Sequence, residues 1–526
     1  MTEDSHSIYR KVGLASLIMM ISIFLSRVIG LVREMIIAYI GGAGGEVDAY
    51  QVAFIFPEIL NHILASGFLS ITFIPIFSGY LVRNENEEGW RVFSLILTCF
   101  GTLLLILIAV AMVFTPELMT LAGFRDQQLS DSAVRMTRII LPAQFFFFVG
   151  GILMAVQFAR EKFLIPALAP LIYNVGIIAG GVILSPWLGM EGFSWGVLGG
   201  ALIGNCLIQI LGARGIGMRF KLSFQFSHPD LKKYVLLSLP LMLGLTMTFS
   251  TELFSRLFGS YLPAGSVSSL NYSLRIMYVL VGIFGQAAGV ASYPFLTRLL
   301  AENRLQEMNR LLDRTLRLIF LVIPFSVLLM VLRHEVVLLI FQRGQFDAAA
   351  TSLTSDVLAF VLISTVGFAA QTVVSRGYYA SQNTLLPAVF GTIAVVVSIP
   401  VYVVGMKWMG VTGVALGLSI SALFQAGLLY ILWNRHIGSK ESAQMLFYLL
   451  KIVLMSAGLG LILVAFHGKI SEWFDIATLP GSFWVVLLTG ALFLILLIVS
   501  GRVLGIEEVK TLIDRAVSGL KKRLPV

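Results

Sequence analysis

Two arginines, Arg27 and Arg33, lie inside the first long apolar run of this 526-residue chain, and a third, Arg275, lies inside the eighth. A cation at the centre of a membrane helix costs about 2.5–3.5 kcal/mol on insertion scales, so such a residue faces a bundle interior or a wet cavity. The flat guanidinium fork matches phosphate oxygens. Arginines set in apolar segments of both halves of a chain therefore point to an anionic, phosphate-bearing ligand. Six residues separate Arg27 from Arg33, which sets them near opposite sides of a helix unless Gly30 bends it. Each arginine has a competing structural reading, in which it pairs with a local carboxylate; Glu34 and Asp48 are within reach of Arg33.

Other polar residues share these apolar runs. Asp48 follows the turn GGAGG, where it either caps the second run or pairs with an arginine as an outer gate. The second run carries Pro57, Asn61, His62, Ser66 and Gly67. That cluster is denser than the ordinary Gly and Pro content of membrane helices explains, and Asn61, His62 and Ser66 are expected to line a cavity or gate. His62 also reads as an ordinary hydrogen-bonded histidine. Glu252 lies four residues before Arg256, a spacing that suits an ion pair, and is the candidate for cation coupling. Asn174, Gln209, Gln286, Gln371 and Asn383 suit either the cavity lining or interhelical hydrogen bonds.

Composition fixes the class. Hydrophobic residues make up 58% of the chain and charged ones 12%, half the usual charged share of a soluble protein, so it is a multi-pass membrane protein. Fourteen apolar stretches between residues 12 and 503 each approach the roughly 20 residues a spanning helix needs. The net charge of +9 does not signal a nucleic-acid partner, because most lysines and arginines fall on one side of this fourteen-span layout. That is the positive-inside bias, and it sets both termini in the cytoplasm. The first apolar run has no small-residue cleavage site and is expected to stay as a span. Cys99 and Cys206 read as buried thiols, the histidines show no ligand spacing, and no metal site is expected. No P-loop or nucleophile triad is present, so the chain is expected to be neither an enzyme nor directly ATP-driven.

The first twelve stretches read as two related halves. Residues 73–93 resemble 292–312 at a constant offset of 219, with Pro75 on Pro294, Asn84 on Asn303 and Arg91 on Arg310. Residues 162–169 resemble 383–390, and 196–202 resemble 410–416. Six spans per half is an even number, so the halves share an orientation and are related by an axis along the membrane normal. The expected division is a first lobe over 1–220, a second over 221–438, two further spans over 439–505 and an amphipathic tail helix over 506–526. The basic linker 212–233 is expected to lie on anionic lipid.

The runs SRVIGLVRE, GAGGEVDAYQVAF and SGFLSITFIPIFSGY resemble the N-terminal signature of the MurJ/MviN family of lipid II flippases. That family belongs to the multidrug/oligosaccharidyl-lipid/polysaccharide exporter superfamily. KFLIPALAPLIYN, GSVSSLNYSLRIM and YYASQNTLLP extend the likeness over most of the chain. The resemblance implies two six-helix lobes around a cationic cavity, with two extra helices shaping a groove for an undecaprenyl tail. It carries the family's first-span arginines onto Arg27 and Arg33, its acidic residue before the second span onto Asp48, and its eighth-span arginine onto Arg275. The chain departs from the family at Asn61, His62, Ser66 and Leu274, where the family often carries charge.

The expected function is therefore movement of a polyprenyl-diphosphate sugar, lipid II first, from the inner to the outer leaflet of the bacterial cytoplasmic membrane. No cofactor is expected; coupling is to the membrane potential or to a monovalent cation. The expected partners are the lipid-linked glycan, membrane lipids and the cell-wall synthesis machinery, and the expected state is a monomer. Rival readings are a flippase for another lipid-linked oligosaccharide, a cation-coupled drug antiporter and a non-transporting scaffold.

Overall fold

Within hydrocarbon a segment must satisfy its own backbone polar groups, and for a chain of long apolar runs the helix is the solution. In the computed structural model, every regular element among the described residues is helical. The description covers residues 3–64, 68–121, 123–124, 126–248, 250–381, 383, 385–438 and 442–509. It excludes the side chains of 3–17, 64–71, 239–252, 287, 290, 291, 294, 301 and 442. The chain forms two compact units, one of Met1–Phe249 with Pro263–Ser268 and one of Ser250–Leu262 with Ser269–Val526.

The first unit contains α1 (Glu3–Gly41), α2 (Gly45–Val52), α3 (Ile55–Leu64), α4 (Phe68–Val82), α5 (Asn86–Val113), α6 (Thr115–Thr120), α7 (Gln127–Ile140), α8 (Ala143–Ala159), α9 (Leu164–Leu188), α10 (Glu191–Ala201), α11 (Ile208–Gly215) and α12 (Pro229–Thr248). Its core packs Phe73 and Phe77 of α4 against Trp90 and Phe93 of α5, with Phe148 and Ile152 of α8. Helix α1 runs unbroken through Gly30, so the chain has no helix break between Arg27 and Arg33. Gly30 faces α9, where an added Cβ would lie 3.9 Å from the Asn174 amide oxygen, an ordinary van der Waals contact. The second apolar run, expected over 49–80, is divided among α2, α3 and α4. The first break falls just before Pro57, a residue tolerated in the first turn of a helix but not in its interior.

The second unit contains α13 (Ser250–Gly259), α14 (Ser266–Leu280), α15 (Ala287–Ala301), α16 (Leu305–Phe320), α17 (Val322–Val331), α18 (Arg333–Phe341), α19 (Ala348–Val361), α20 (Thr365–Ala380), α21 (Leu385–Met409), α22 (Val411–Ile437), α23 (Ser442–Ile470) and α24 (Leu479–Val503). The first residues of α14, up to Ser268, belong to the first unit. Its core gathers Leu312 and Leu316 of α16, Val373 and Tyr378 of α20, Trp433 of α22, Leu459 of α23 and Phe493 of α24. Ile506 and Val509, expected on the apolar face of a tail helix, are buried against this core; the tail beyond residue 509 lies outside the described residues.

Among the described residues, eleven helical segments are long and apolar enough to cross a membrane. The other three stretches expected from the sequence fall on α1, on the divided α2–α4 and on α12–α13. Local geometry recurs between the units, once within a matched segment (Asn84 and Asn303) and twice outside the matched pairs, where Gly410 answers to Gly189 rather than to Gly196 as the sequence match had it. Asn84 and Asn303 both turn left-handed, at φ 59° and 57°, a conformation that asparagine tolerates better than most residues. Asp126 and Asp347 cap α7 and α19 through their carboxylates, each accepting a backbone N–H at 2.8 Å. Gly189 and Gly410 turn at φ 54° and 61° between the closely crossed pairs α9–α10 and α21–α22.

Glycine sets the distance of those crossings. A Cβ on Gly180 would overlap Gly196, and one on Gly413 would overlap the Gly405 carbonyl. Gly413→Val is expected to cost about 1–3 kcal/mol through overpacking and to lower the melting temperature of the detergent-solubilised protein. Gly199→Ala, at a position with open space around it, should leave the melting temperature unchanged within error.

Candidate functional site

Helix α1 meets α9 along a stripe at helical spacing. The Ser22 hydroxyl donates to the Ala167 carbonyl. The Asn174 amide donates to Ser26 Oγ at 3.3 Å and to the Pro170 carbonyl at 2.9 Å. Arg33 closes the stripe, with Nη1 donating to Asn174 Oδ1 at 3.0 Å and Nη2 donating to Glu34 Oε1 at 2.5 Å. Of the two carboxylates within reach in the sequence, Glu34 is therefore the partner. The Glu34 side chain is 2% exposed and that of Arg33 is 16% exposed, so this is a buried pair. Breaking such a pair strands a charge, typically at about 3–5 kcal/mol.

At 3.6 residues per turn, Arg27 sits about 120° around α1 from Arg33. It is off the α9 stripe and exposed, with Phe24 and Val28 exposed beside it. The two arginines of the first span are thus in different environments, one fixed in a helix interface and the other on an open face. Arg275 lies on α14 in the second unit and is partly buried, between Leu274 and Ile276, which are both buried. Its helix is anchored to α19, where Ser273 Oγ donates to the Thr354 carbonyl at 3.1 Å and Thr354 Oγ1 donates to Ser269 Oγ at 3.3 Å.

Asp48 takes neither of the partners considered from sequence. Helix α2 begins after Gly44 without a side-chain cap. The Asp48 carboxylate, 3% exposed, instead accepts the backbone N–H of Gly265 at 2.7 Å and of Ser268 at 2.7 Å. These groups sit at the start of α14, where a helix leaves N–H groups unsatisfied and its dipole favours negative charge. Asp48 therefore caps the helix that carries Arg275, from 217 positions upstream.

The remaining sequence candidates scatter. Asn61 Nδ2 donates to Gln144 Oε1 at 2.8 Å, tying α3 to α8. His62 Nδ1 lies 2.7 Å from the Glu58 carbonyl one turn earlier. Ser66 and the side chain of Glu252, and with it the expected Glu252–Arg256 pair, lie outside the described residues. Gln209, Gln371 and Asn383 make local or interhelical hydrogen bonds to Gln157, to the Ala422 carbonyl and to the Leu386 N–H.

Three charged groups escaped the sequence reading. Arg376 on α20 stacks over the Tyr293 ring at 5.7 Å and has no acidic partner among the described residues. Asp313 on α16 is buried and accepts from the Tyr430 hydroxyl at 2.8 Å. Glu335 on α18 is fully buried, with His467 Nε2 2.7 Å from its carboxylate. Burial opposes ionisation of Glu335, yet the hydrogen bond and charge of His467 hold its carboxyl below the usual range. Beside Tyr430 lies a cavity of about 370 Å³ lined by Leu316, Phe320, Ala370, Leu423, Met445 and Leu449. It is almost wholly apolar and fits a hydrocarbon chain. A larger hollow of about 1120 Å³ at the α15–α16 corner is lined by Arg298, Arg304, Arg310 and Arg314. It contains none of the candidate residues, and Glu302 and Glu307 already engage two of its arginines.

Replacing Asp48 with asparagine removes the charge and one of the two acceptors. Hydrogen bonds to a charged group are worth about 1.5–3 kcal/mol, so Asp48→Asn is expected to speed amide hydrogen exchange at Gly265 and Ser268 by at least tenfold. Exchange within α9 should be unaffected.

The sequence profile of the family described as "Lipid II flippase MurJ" matches residues 37–484. That segment contains Asp48 and Arg275, while Arg27 and Arg33 precede it. A probable lipid II flippase MurJ of Thermotoga maritima is 26% identical over 498 residues, covering 94% of this chain and 96% of that protein. The corresponding protein of Buchnera aphidicola is 27% identical over 414 residues, covering 77% and 80%. Among solved structures, "Lipid II flippase MurJ, inward closed conformation" aligns with a TM-score of 0.75 at 23% identity, over 93% of this chain and 99% of that one. An inward-facing multidrug MATE transporter aligns at 0.64 and 14% identity, over 78% and 94%. The likeness to both solved structures is one of fold. The family match spans most of the chain, and this multi-pass membrane protein belongs to the MurJ lipid II flippase family, a family of transporters rather than of catalysts.

Proposed function

We propose that this protein moves lipid II from the inner to the outer leaflet of the bacterial cytoplasmic membrane by alternating access. The observation that carries this reading is the family match over residues 37–484. Two six-helix lobes, fourteen spans in all and both termini in the cytoplasm form the proposed architecture. The left-handed turns at Asn84 and Asn303 and the paired caps at Asp126 and Asp347 support the repeat. Arg27 and Arg275 are the proposed diphosphate contacts. Arg33 is the second cation of the first span, its guanidinium oriented by Glu34 and Asn174. Asp48, through α14, is the proposed outer gate, and Asn61, His62 and Ser66 line the path. The apolar cavity beside α23 is the proposed seat of the polyprenyl tail.

No cofactor enters this scheme. Each negative charge moved outward gains about 2.3 kcal/mol per 100 mV of inside-negative potential, so the diphosphate itself supplies direction. Glu252 is the proposed site if a monovalent cation is coupled as well. The protein acts as a monomer, with the lipid-linked glycan and membrane lipids as its partners, alongside the cell-wall synthesis machinery. A second reading, transport of another lipid-linked oligosaccharide, is favoured by the neutral Asn61–Gln144 contact at a position where the family often carries charge.

In a cell depleted of its lipid II flippase, wild type is expected to restore growth and cell shape. Arg27→Ala, at equal abundance in the membrane, should not. Failure of the wild type to rescue, with correctly inserted protein, would favour the second reading.

A further inference from the structure

We propose that residues 218–228, which join α11 to α12, form a re-entrant strap that dips into the bilayer and is held there by the hydroxyls of α5. The segment is without helix from Met218 to Gln225 and turns where Phe226 N–H donates to the Phe224 carbonyl at 3.0 Å. Its backbone runs along α5: Lys221 N–H donates to Ser94 Oγ at 3.1 Å and Ser223 N–H donates to Thr98 Oγ1 at 3.4 Å. Ser94 Oγ also reaches the Arg219 carbonyl at 3.4 Å. The chain then reverses. Gln225 accepts from Arg91 at 2.8 Å, and His228 approaches Glu88 at 3.4 Å.

Depth follows from α5 itself. Its last charge on this side is Arg91, and the helix is uncharged from there to its end at Val113. Thr98 is seven residues further in, about 10 Å along the axis at 1.5 Å per residue. Non-helical backbone is tolerated at such depth only where protein satisfies its polar groups, and the two hydroxyls do that for two successive N–H groups on one edge of the strap. Alternation along an extended chain sends every second side chain to the other face. Leu222, Phe224 and Phe226 are 75%, 53% and 72% exposed. An aqueous loop would gain nothing from exposing three large apolar groups at alternate positions, whereas acyl chains would cover them. Exposed Arg214, Lys232 and Lys233 flank the strap, and exposed Arg219 and Lys221 stand on its entering limb before Leu222, placed to meet lipid phosphates as it enters and leaves. On the orientation proposed above this is the cytoplasmic leaflet; the depth itself does not rest on that reading or on what is transported.

The test is spin-label accessibility. Nitroxides are placed singly at Leu222→Cys and Phe224→Cys in a Cys99→Ser/Cys206→Ala background, in vesicles of phosphatidylethanolamine and phosphatidylglycerol. Reference labels at Glu87→Cys and Leu105→Cys report water and lipid. The ratio of oxygen to nickel-chelate collision rates at 222 and 224 is expected to be at least threefold above that at 87 and close to that at 105. A ratio equal to that at position 87 would overturn the proposal. Adding Thr98→Val should shift the label at 222 towards the aqueous value while Thr98→Ser does not; an unchanged Thr98→Val would refute the anchoring role of the hydroxyl. If Thr98→Val does not fold, the labels in the parent background decide the matter.

Discussion

A guanidinium or an open backbone N–H placed within hydrocarbon must be met by a partner, and this constraint organises the chain. Arg33 meets it with Glu34 and Asn174. The start of α14 meets it with the Asp48 carboxylate, and residues 221 and 223 meet it with hydroxyls of α5. Where the partner is built in, the group is structural. Arg27 is exposed on α1, away from the α9 stripe.

Asp48 reaches the helix that carries Arg275. Its carboxylate holds the first turn of α14, and Arg275 lies two turns further along the same helix.

The residue types were legible in the sequence; their partners were not. Arginines in apolar runs are visible because the cost of burying charge is local information, and Asn84 and Asn303 matched because a left-handed turn selects its own residue. The partner of Asp48 could not be read, since it is a pair of backbone groups more than two hundred positions away that any residue type would supply. Arg376 was missed because the apolar run read as the tenth span, 353–376, ends on it, whereas α20 continues to Ala380. Asp313 was missed because the Tyr430 hydroxyl and the Asn309 amide that satisfy it come from a distant helix and from one turn earlier on its own. The second span could not be placed as one helix, because its breaks depend on packing as well as on Pro57.

The central claim is that arginine charge grips a lipid diphosphate. It is tested most directly by binding to the purified protein in native mass spectrometry, comparing a polyprenyl diphosphate with the polyprenyl alcohol of equal chain length. The account predicts that wild type retains the diphosphate at least tenfold better than the alcohol, and that Arg27→Ala and Arg275→Ala each erase most of that preference while alcohol binding stays constant. Equal retention of the two lipids by wild type, or an undiminished preference in both variants, would contradict it.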